Sequence, residues 1–138
     1  MTAGRVLALD PGARRVGVAV SDPLGITAQP HAVLDGRDPG LMEGIARMAA
    51  ELGVERIVVG LPISLNGSEG PAAAAAREFA ARVAAATGLP VVMADERFTS
   101  VSAERVLVDA GLSGRRRRAV RDRVAAAVLL QAYLDGGR

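Results

Sequence analysis

Short apolar segments that end at turn signals constrain the fold of this chain more than any other feature of its sequence. Each segment has the length of a buried strand and is bounded by residues that favour turns. They cover residues 5–10, 16–20, 26–34, 56–60 and 90–94. Only a few residues connect the first two segments, which favours an antiparallel hairpin. Pro30 in the third segment predicts an edge strand or an irregularity.

Segments with helical spacing of apolar residues alternate with the later strands. They predict helices between Asp38 and Gly53, between Ser68 and Gly88, from Thr99 or Ser100 to about Ala110, and from Ala119 to about Leu134. Asp38 and Ser68 are predicted to cap the first two helices, because short polar side chains at a helix start accept backbone N–H bonds. The inner face of the second helix is predicted to be Ala72, Ala76, Phe79, Val83 and Ala86.

The resulting order of elements is β-β-β-α-β-α-β-α-α, which is an α/β chain. Antiparallel strands come first, and the later βα units imply right-handed parallel crossovers. The order therefore predicts a mixed five-stranded sheet with helices on both faces. Residues 1–138 fit one domain, with no linker, no change in amino-acid composition along the chain and no internal repeat.

Composition restricts the chemistry that this chain can support. The absence of cysteine excludes disulfides and thiolate metal sites, and a single histidine, His31, nearly excludes a structural zinc site. A bound metal would therefore have oxygen ligands, which favours Mg²⁺ or Mn²⁺. Residues 1–5 lack a signal-peptide pattern, and residues 5–10 are too few to cross a bilayer, so we expect a cytoplasmic protein without membrane contact.

Arginine supplies all 17 basic side chains, and the formal net charge is +2. A dense group lies within residues 115–123 and predicts contact with phosphate backbones. A solvated loop would explain the same group equally well. The group consists of Arg115, Arg116, Arg117, Arg118, Arg121 and Arg123.

Three acidic residues are candidates for a cation site. Asp10 and Glu96 follow apolar strands, where ligands bind in open α/β sheets and where a buried acid needs a partner. Asp122 stands in the first turn of the last predicted helix, at the edge of its apolar face. Each has a structural alternative: Asp10 as a turn former, Glu96 as a partner of Arg97, and Asp122 as a solvated helix acid.

Five motifs occur in order at family-like spacing and together closely resemble the YqgF family, also called RuvX. Its members are described as pre-16S rRNA nucleases and as Holliday-junction-resolvase-like proteins. The motifs are LDPGARRVGVA at 9–19, VGLP at 59–62, NGSEG at 66–70, DERFTS at 95–100 and DRVAAAVLLQAYL at 122–134. The match runs from Arg5 to Leu134, so the resemblance covers almost the whole chain.

The resemblance implies an RNase H-like fold and maturation of the 5′ end of the 16S rRNA precursor in the cytoplasm. The acidic positions of the family fall on Asp10, Glu96 and Asp122, which would be both metal ligands and catalytic residues. Arg123 stands where a small polar residue is common, which does not affect the neighbouring carboxylate. Two Mg²⁺ or Mn²⁺ ions about 4 Å apart would activate water and neutralise the phosphate.

The same resemblance suggests how nucleic acid would be held. Arg14, Arg15 and the arginines at 115–118 would bind the backbone of structured RNA or branched DNA, with pre-ribosomal particles as partners. Ser68, Thr99 and Ser100 are weaker candidates for phosphate contacts and fit helix caps better. The chain would act as a monomer or a homodimer.

Three other functions fit the sequence. A DNA junction resolvase would use the same carboxylates but would need a symmetric dimer. Asp10-x-Gly12 before a hairpin also resembles the first phosphate motif of actin and sugar kinases, which bind nucleotide between two domains. A non-catalytic nucleic-acid-binding module would keep the acids for stability.

Overall fold

A computed structural model describes residues 4–64, 66–96 and 124–137 of the chain. The described strands are β1 (Arg5–Pro11), β2 (Arg15–Ser21), β3 (Ala28–Asp35), β4 (Val54–Leu61) and β5 (Val91–Asp95). The described helices are α1 (Leu41–Leu52), α2 (Pro71–Thr87) and α3 (residues 124–132), and a π-helical turn over Tyr133–Gly137 follows α3. No helix in these three ranges is long and apolar enough to span a membrane.

The five strands form one mixed sheet in the order β3-β2-β1-β4-β5. β1 pairs with β2, and β2 with β3, in antiparallel fashion, while β1–β4 and β4–β5 are parallel. The predicted mixed five-stranded sheet is therefore confirmed. Because β1, β4 and β5 run in one direction, their carboxyl ends meet at one edge, together with the start of β2 and the end of β3. We call this edge the carboxyl edge.

Helices cover both faces of the sheet, as predicted. Side chains alternate along each strand, so the apolar strands present apolar side chains on both faces. α1 and α2 pack on one face, where the fully buried residues include Leu7, Leu9, Val18, Ile45, Ile57, Val59 and Val83. α3 packs on the other face, where Ala8, Val58, Ala126 and Leu130 are fully buried. The apolar runs of β1 and β4 are thus explained by burial on both sides.

The direction of α3 follows from contacts near its carboxyl end. Gln131 Oε1 accepts a hydrogen bond from the Ala28 backbone N–H (2.9 Å), where β3 begins. The Tyr133 hydroxyl accepts one from Arg56 Nη1 (2.9 Å), near the start of β4. Both strands begin at the edge opposite the carboxyl edge. The amino end of α3 is therefore directed towards the carboxyl edge.

Both predicted helix caps are wrong. α1 begins after Gly40, and Asp38 Oδ1 instead accepts the Gly40 N–H (2.8 Å) within a turn. α2 begins after Gly70, and the Ser68 hydroxyl donates to Asn66 Oδ1 (2.8 Å). In both loops a short polar side chain satisfies nearby groups of the loop itself, which competes with capping.

The predicted inner face of α2 is partly wrong. Ala76, Phe79 and Val83 are buried as expected, but Ala73 and Ala80 complete the buried face. Ala72 and Ala86 are exposed. The predicted third helix, the loop over 111–118 and the first residues of the fourth predicted helix lie outside the described residues.

Candidate active site

Asp10 reaches the carboxyl edge because the strand that carries it is held on both sides. β1 lies between β2 and β4, and Asp10 pairs with Gly17 in the antiparallel ladder. The turn that follows is closed by a hydrogen bond from the Gly12 N–H to the Arg15 carbonyl oxygen (2.8 Å). The carboxylate therefore stands at the end of the central strand of the sheet.

Glu96 arrives at the same edge from β5. Its backbone N–H donates to the Leu61 carbonyl oxygen (3.1 Å), which continues the β4–β5 pairing one residue beyond β5. The alternation along β1 and β5 puts the side chains of Asp10 and Glu96 on the face that α3 covers. Both residues are half-buried. The structure thus brings together two of the three predicted acids.

A hydrogen bond joins the two carboxyl groups, and we call its proton the shared proton. Burial, a hydrogen bond to Asp10, and the negative charges of Asp10 and Asp95 raise the pKa of Glu96 to about 9. At neutral pH the protonated Glu96 donates to the Asp10 carboxylate, because two adjacent half-buried carboxylates repel each other.

Gly60 makes room for the Glu96 carboxyl group. It pairs with Ala94, and a Cβ at position 60 would lie 2.7 Å from Glu96 Cδ and Oε1. No side chain larger than hydrogen fits there without moving the carboxyl group. This role of Gly60 was not predicted from the sequence, although a glycine inside an apolar strand is a signal of the close approach of another group.

Replacing Gly60 by alanine is expected to lower cleavage about 10- to 100-fold while the chain still folds. The added methyl group pushes the flexible end of Glu96 away from Asp10, and a displacement of about 1 Å can cost a hundredfold in rate. Steady-state cleavage and thermal unfolding measure the two effects. Gly44→Ala is the matched control, because nothing lies within 4 Å of a Cβ there. Equal cleavage by Gly60→Ala and wild type would contradict this role.

A cleft of about 650 Å³ lies beside Glu96. The turn after β1 and one side of α2 form its walls, and Glu96 lies in its lining. The lining residues are Pro11, Gly12, Ala13, Pro62, Pro71, Ala72, Ala75, Ala76, Glu78, Phe79, Arg82 and Glu96. The cleft is therefore large enough for part of a polymeric substrate, and of the two acids it is Glu96 that lines it.

The other predicted site residues divide into two groups. Arg14, in the turn between β1 and β2, and Arg15, the first residue of β2, are exposed at the carboxyl edge. Ser68 lies in the exposed loop before α2. Asp122, Thr99, Ser100 and the arginines at 115–118 lie outside the described residues. Within the described ranges, no cluster of three or more acidic or histidine side chains could hold a metal ion.

Comparison with known proteins shows the family of the chain. The model of the family described as "RuvX: Holliday junction resolvase" matches residues 4–136. The chain belongs to the RuvX family. The predicted resemblance is therefore confirmed, and so is the enzyme class, a hydrolase of phosphodiester bonds.

Curated relatives of this RuvX-family chain match it over nearly their full lengths. A protein of Syntrophomonas wolfei is 46% identical over 136 residues, which is 96% of this chain and 95% of the relative. A protein of Moorella thermoacetica is 49% identical over 132 residues, which is 95% of this chain and 94% of the relative. Both are named "Putative pre-16S rRNA nuclease".

Solved structures show that the RuvX-family chain shares its fold with RuvC. The structure of Thermus thermophilus RuvC in complex with a Holliday junction substrate aligns with a TM-score of 0.58 at 18% identity. The alignment covers 97% of this chain and 96% of RuvC. The predicted RNase H-like fold is therefore confirmed.

Proposed function

We propose that this chain is a divalent-metal-dependent nuclease that processes the 5′ end of pre-16S rRNA. The proposed site consists of Asp10, Glu96 and Asp122. One observation carries the proposal: two carboxyl groups from distant parts of the sequence are hydrogen-bonded to each other at the carboxyl edge of the sheet. The names of the curated relatives support the RNA substrate.

The carboxyl pair fits a hard divalent cation. Its donors are oxygen atoms, which suit Mg²⁺ and Mn²⁺. A cation beside Asp10 and Glu96 would lower the pKa of Glu96 and replace the shared proton, so that both groups would ionise. The oxygen donors of Asp10 and Glu96 therefore favour a divalent cation between the two carboxyl groups.

Asp122 is proposed as the third ligand from the placement of α3. Ala126, four residues later in the sequence, is fully buried on the face of the sheet that carries Asp10. The amino end of α3 is directed towards the carboxyl edge, as the contacts of Gln131 and Tyr133 require. This direction of α3 supports Asp122, which precedes α3 in the sequence, as the third ligand.

Each residue would have a separate task in phosphodiester hydrolysis. Asp10, fixed on the central strand, and Glu96, seated over Gly60, would present their oxygens at a constant position. Bound cations would acidify the attacking water and neutralise charge on the phosphate. Arg14 and Arg15 would hold the substrate backbone, and the arginines at 115–118 would add further phosphate contacts.

A junction resolvase is the second candidate, because the family model is described as a Holliday junction resolvase. Cutting two symmetric strands would require a homodimer, whereas trimming one RNA end would not. A nuclease that matures rRNA would act in the cytoplasm on pre-ribosomal particles. The two candidates therefore differ in substrate and in oligomeric state.

The substrate can be tested with the wild-type chain. We expect it to cleave a 16S rRNA fragment with its 5′ leader in Mn²⁺ or Mg²⁺, and to leave it intact in EDTA. A four-way DNA junction of equal concentration serves as the competing substrate, and gel analysis of the products measures both reactions. Metal-dependent cleavage of the junction alone would support the resolvase. Cleavage of neither nucleic acid would contradict the nuclease proposal.

A further inference from the structure

We propose that a second pocket at the carboxyl edge binds a backbone phosphate of the substrate. This phosphate would be a different one from the phosphate that is cleaved at Asp10 and Glu96. This inference rests on the proposed function. The pocket lies where β2 begins and β3 ends and has a volume of about 440 Å³. Arg14, Arg15, Val33, Leu34, Asp35 and Arg37 line it. We call it the hairpin pocket.

Backbone contacts hold the arginines of the hairpin pocket near one another. Arg15 pairs with Asp35 across β2 and β3. The Gly36 N–H donates to the Arg14 carbonyl oxygen (2.8 Å), and a Cβ at Gly36 would lie only 3.1 Å from that oxygen. This close approach joins the loop that carries Arg37 to the turn that carries Arg14. The fold therefore gathers arginines from two distant segments of the sequence.

The charge of the hairpin pocket suits an anion. Its lining includes three arginines and one acidic residue, Asp35, whose Oδ1 accepts the Arg37 backbone N–H (2.9 Å). All three arginines are exposed, so their side chains can reach a ligand in solvent. Guanidinium groups bind phosphate oxygens in a bidentate manner. A phosphodiester is therefore the ligand that this chemistry favours.

The position of the hairpin pocket connects it to the carboxyl pair. β1 ends at Pro11, next to Asp10, and the turn over residues 12–14 leads directly to the pocket. A nucleic-acid strand with one phosphate at Asp10 and Glu96 can extend across this turn and present a further phosphate to Arg37. Such contacts fix the position of a substrate without reading its bases.

The salt dependence of RNA binding tests this inference. Wild type, Arg37→Gln and the control Arg47→Gln are titrated with a fluorescein-labelled 20-nucleotide single-stranded RNA in EDTA. Fluorescence anisotropy is measured from 50 to 300 mM NaCl. Arg47 is exposed on α1, so its replacement removes the same charge outside the pocket. Arg37→Lys is the second variant, because it keeps the positive charge.

Arg37→Gln should weaken binding about fivefold at 100 mM NaCl, the effect of one exposed ion pair. It should also reduce the slope of log K against log salt by about 0.7, the value for one phosphate contact on a single strand. Arg37→Lys should keep the wild-type slope, and Arg47→Gln should match wild type. The inference would be overturned if Arg37→Gln had the same salt slope as wild type. It would also be overturned if Arg37→Gln and Arg47→Gln lost the same amount of RNA affinity. Because no metal or cleavage is involved, failure of the proposed nuclease would be seen separately.

Discussion

Replacing Asp10 by asparagine is expected to reduce metal-dependent cleavage about 1,000-fold and to leave RNA binding unchanged. Removal of one carboxylate takes several kcal/mol of charge stabilisation from the transition state, and each 1.4 kcal/mol is a factor of ten. Asparagine retains the shape of the side chain and can still accept a hydrogen bond from Glu96. Single-turnover cleavage in Mn²⁺ and RNA binding in EDTA measure the two effects.

Asp38→Asn is the matched control for this experiment. Asp38 is exposed, and an asparagine there can still accept the Gly40 N–H that Asp38 Oδ1 accepts. Its cleavage should equal that of wild type. If Asp10→Asn also cleaves as well as wild type, Asp10 has no catalytic role. If wild-type protein binds RNA but never cleaves it, the chain acts as a non-catalytic binding module.

The second large effect concerns stability without metal. Wild-type protein in EDTA should lose several kcal/mol of unfolding free energy as the pH rises from 5 to 9, because the shared proton is lost. The pKa of Glu96 is about 9 in the folded chain, against an ordinary value of 4.5. The stabilisation is therefore complete below pH 4.5, decreases between the two values, and is absent above pH 9. Thermal unfolding in EDTA, followed by circular dichroism, should show a fall of about 10 °C or more.

Glu96→Gln isolates this effect. Glutamine keeps a hydrogen-bond donor for Asp10 but cannot ionise, so its unfolding temperature should change little with pH and should exceed that of wild type at pH 8. Glu43→Gln, at an exposed position of α1, should follow the wild-type curve. Mn²⁺ should restore stability to wild type at pH 8 but have less effect on Glu96→Gln. A wild-type curve that is flat between pH 5 and 9 in EDTA would contradict the shared proton.

The strands were predictable because their apolar runs are bounded by strong turn signals. The prediction for the segment before Asp10 agrees with β1 to within a residue, and the segment around Pro30 became the edge strand β3. The ends of elements were less predictable. Asp38 and Ser68 have side chains that can cap a helix or close a turn, and the two choices differ little in local energy.

The buried face of α2 shows a second limit. The helix is rich in alanine, so its sequence has little contrast between apolar and polar positions. Ala72, Ala73, Ala80 and Ala86 have identical side chains, so residue type alone does not tell which of them face the sheet. Contacts with the sheet and with α1 select the face that carries Ala73 and Ala80.

The sequence by itself determined the order of elements, the apolar strands and the positions of Asp10 and Glu96 after two of them. These properties depend on residue type and spacing along the chain. Only the tertiary structure decided that the two carboxyl groups are hydrogen-bonded, that Gly60 makes room for Glu96, and that Arg37 lies near Arg14 and Arg15. Those properties depend on distances between residues far apart in sequence, and such distances follow from strand register and packing, which no single segment specifies.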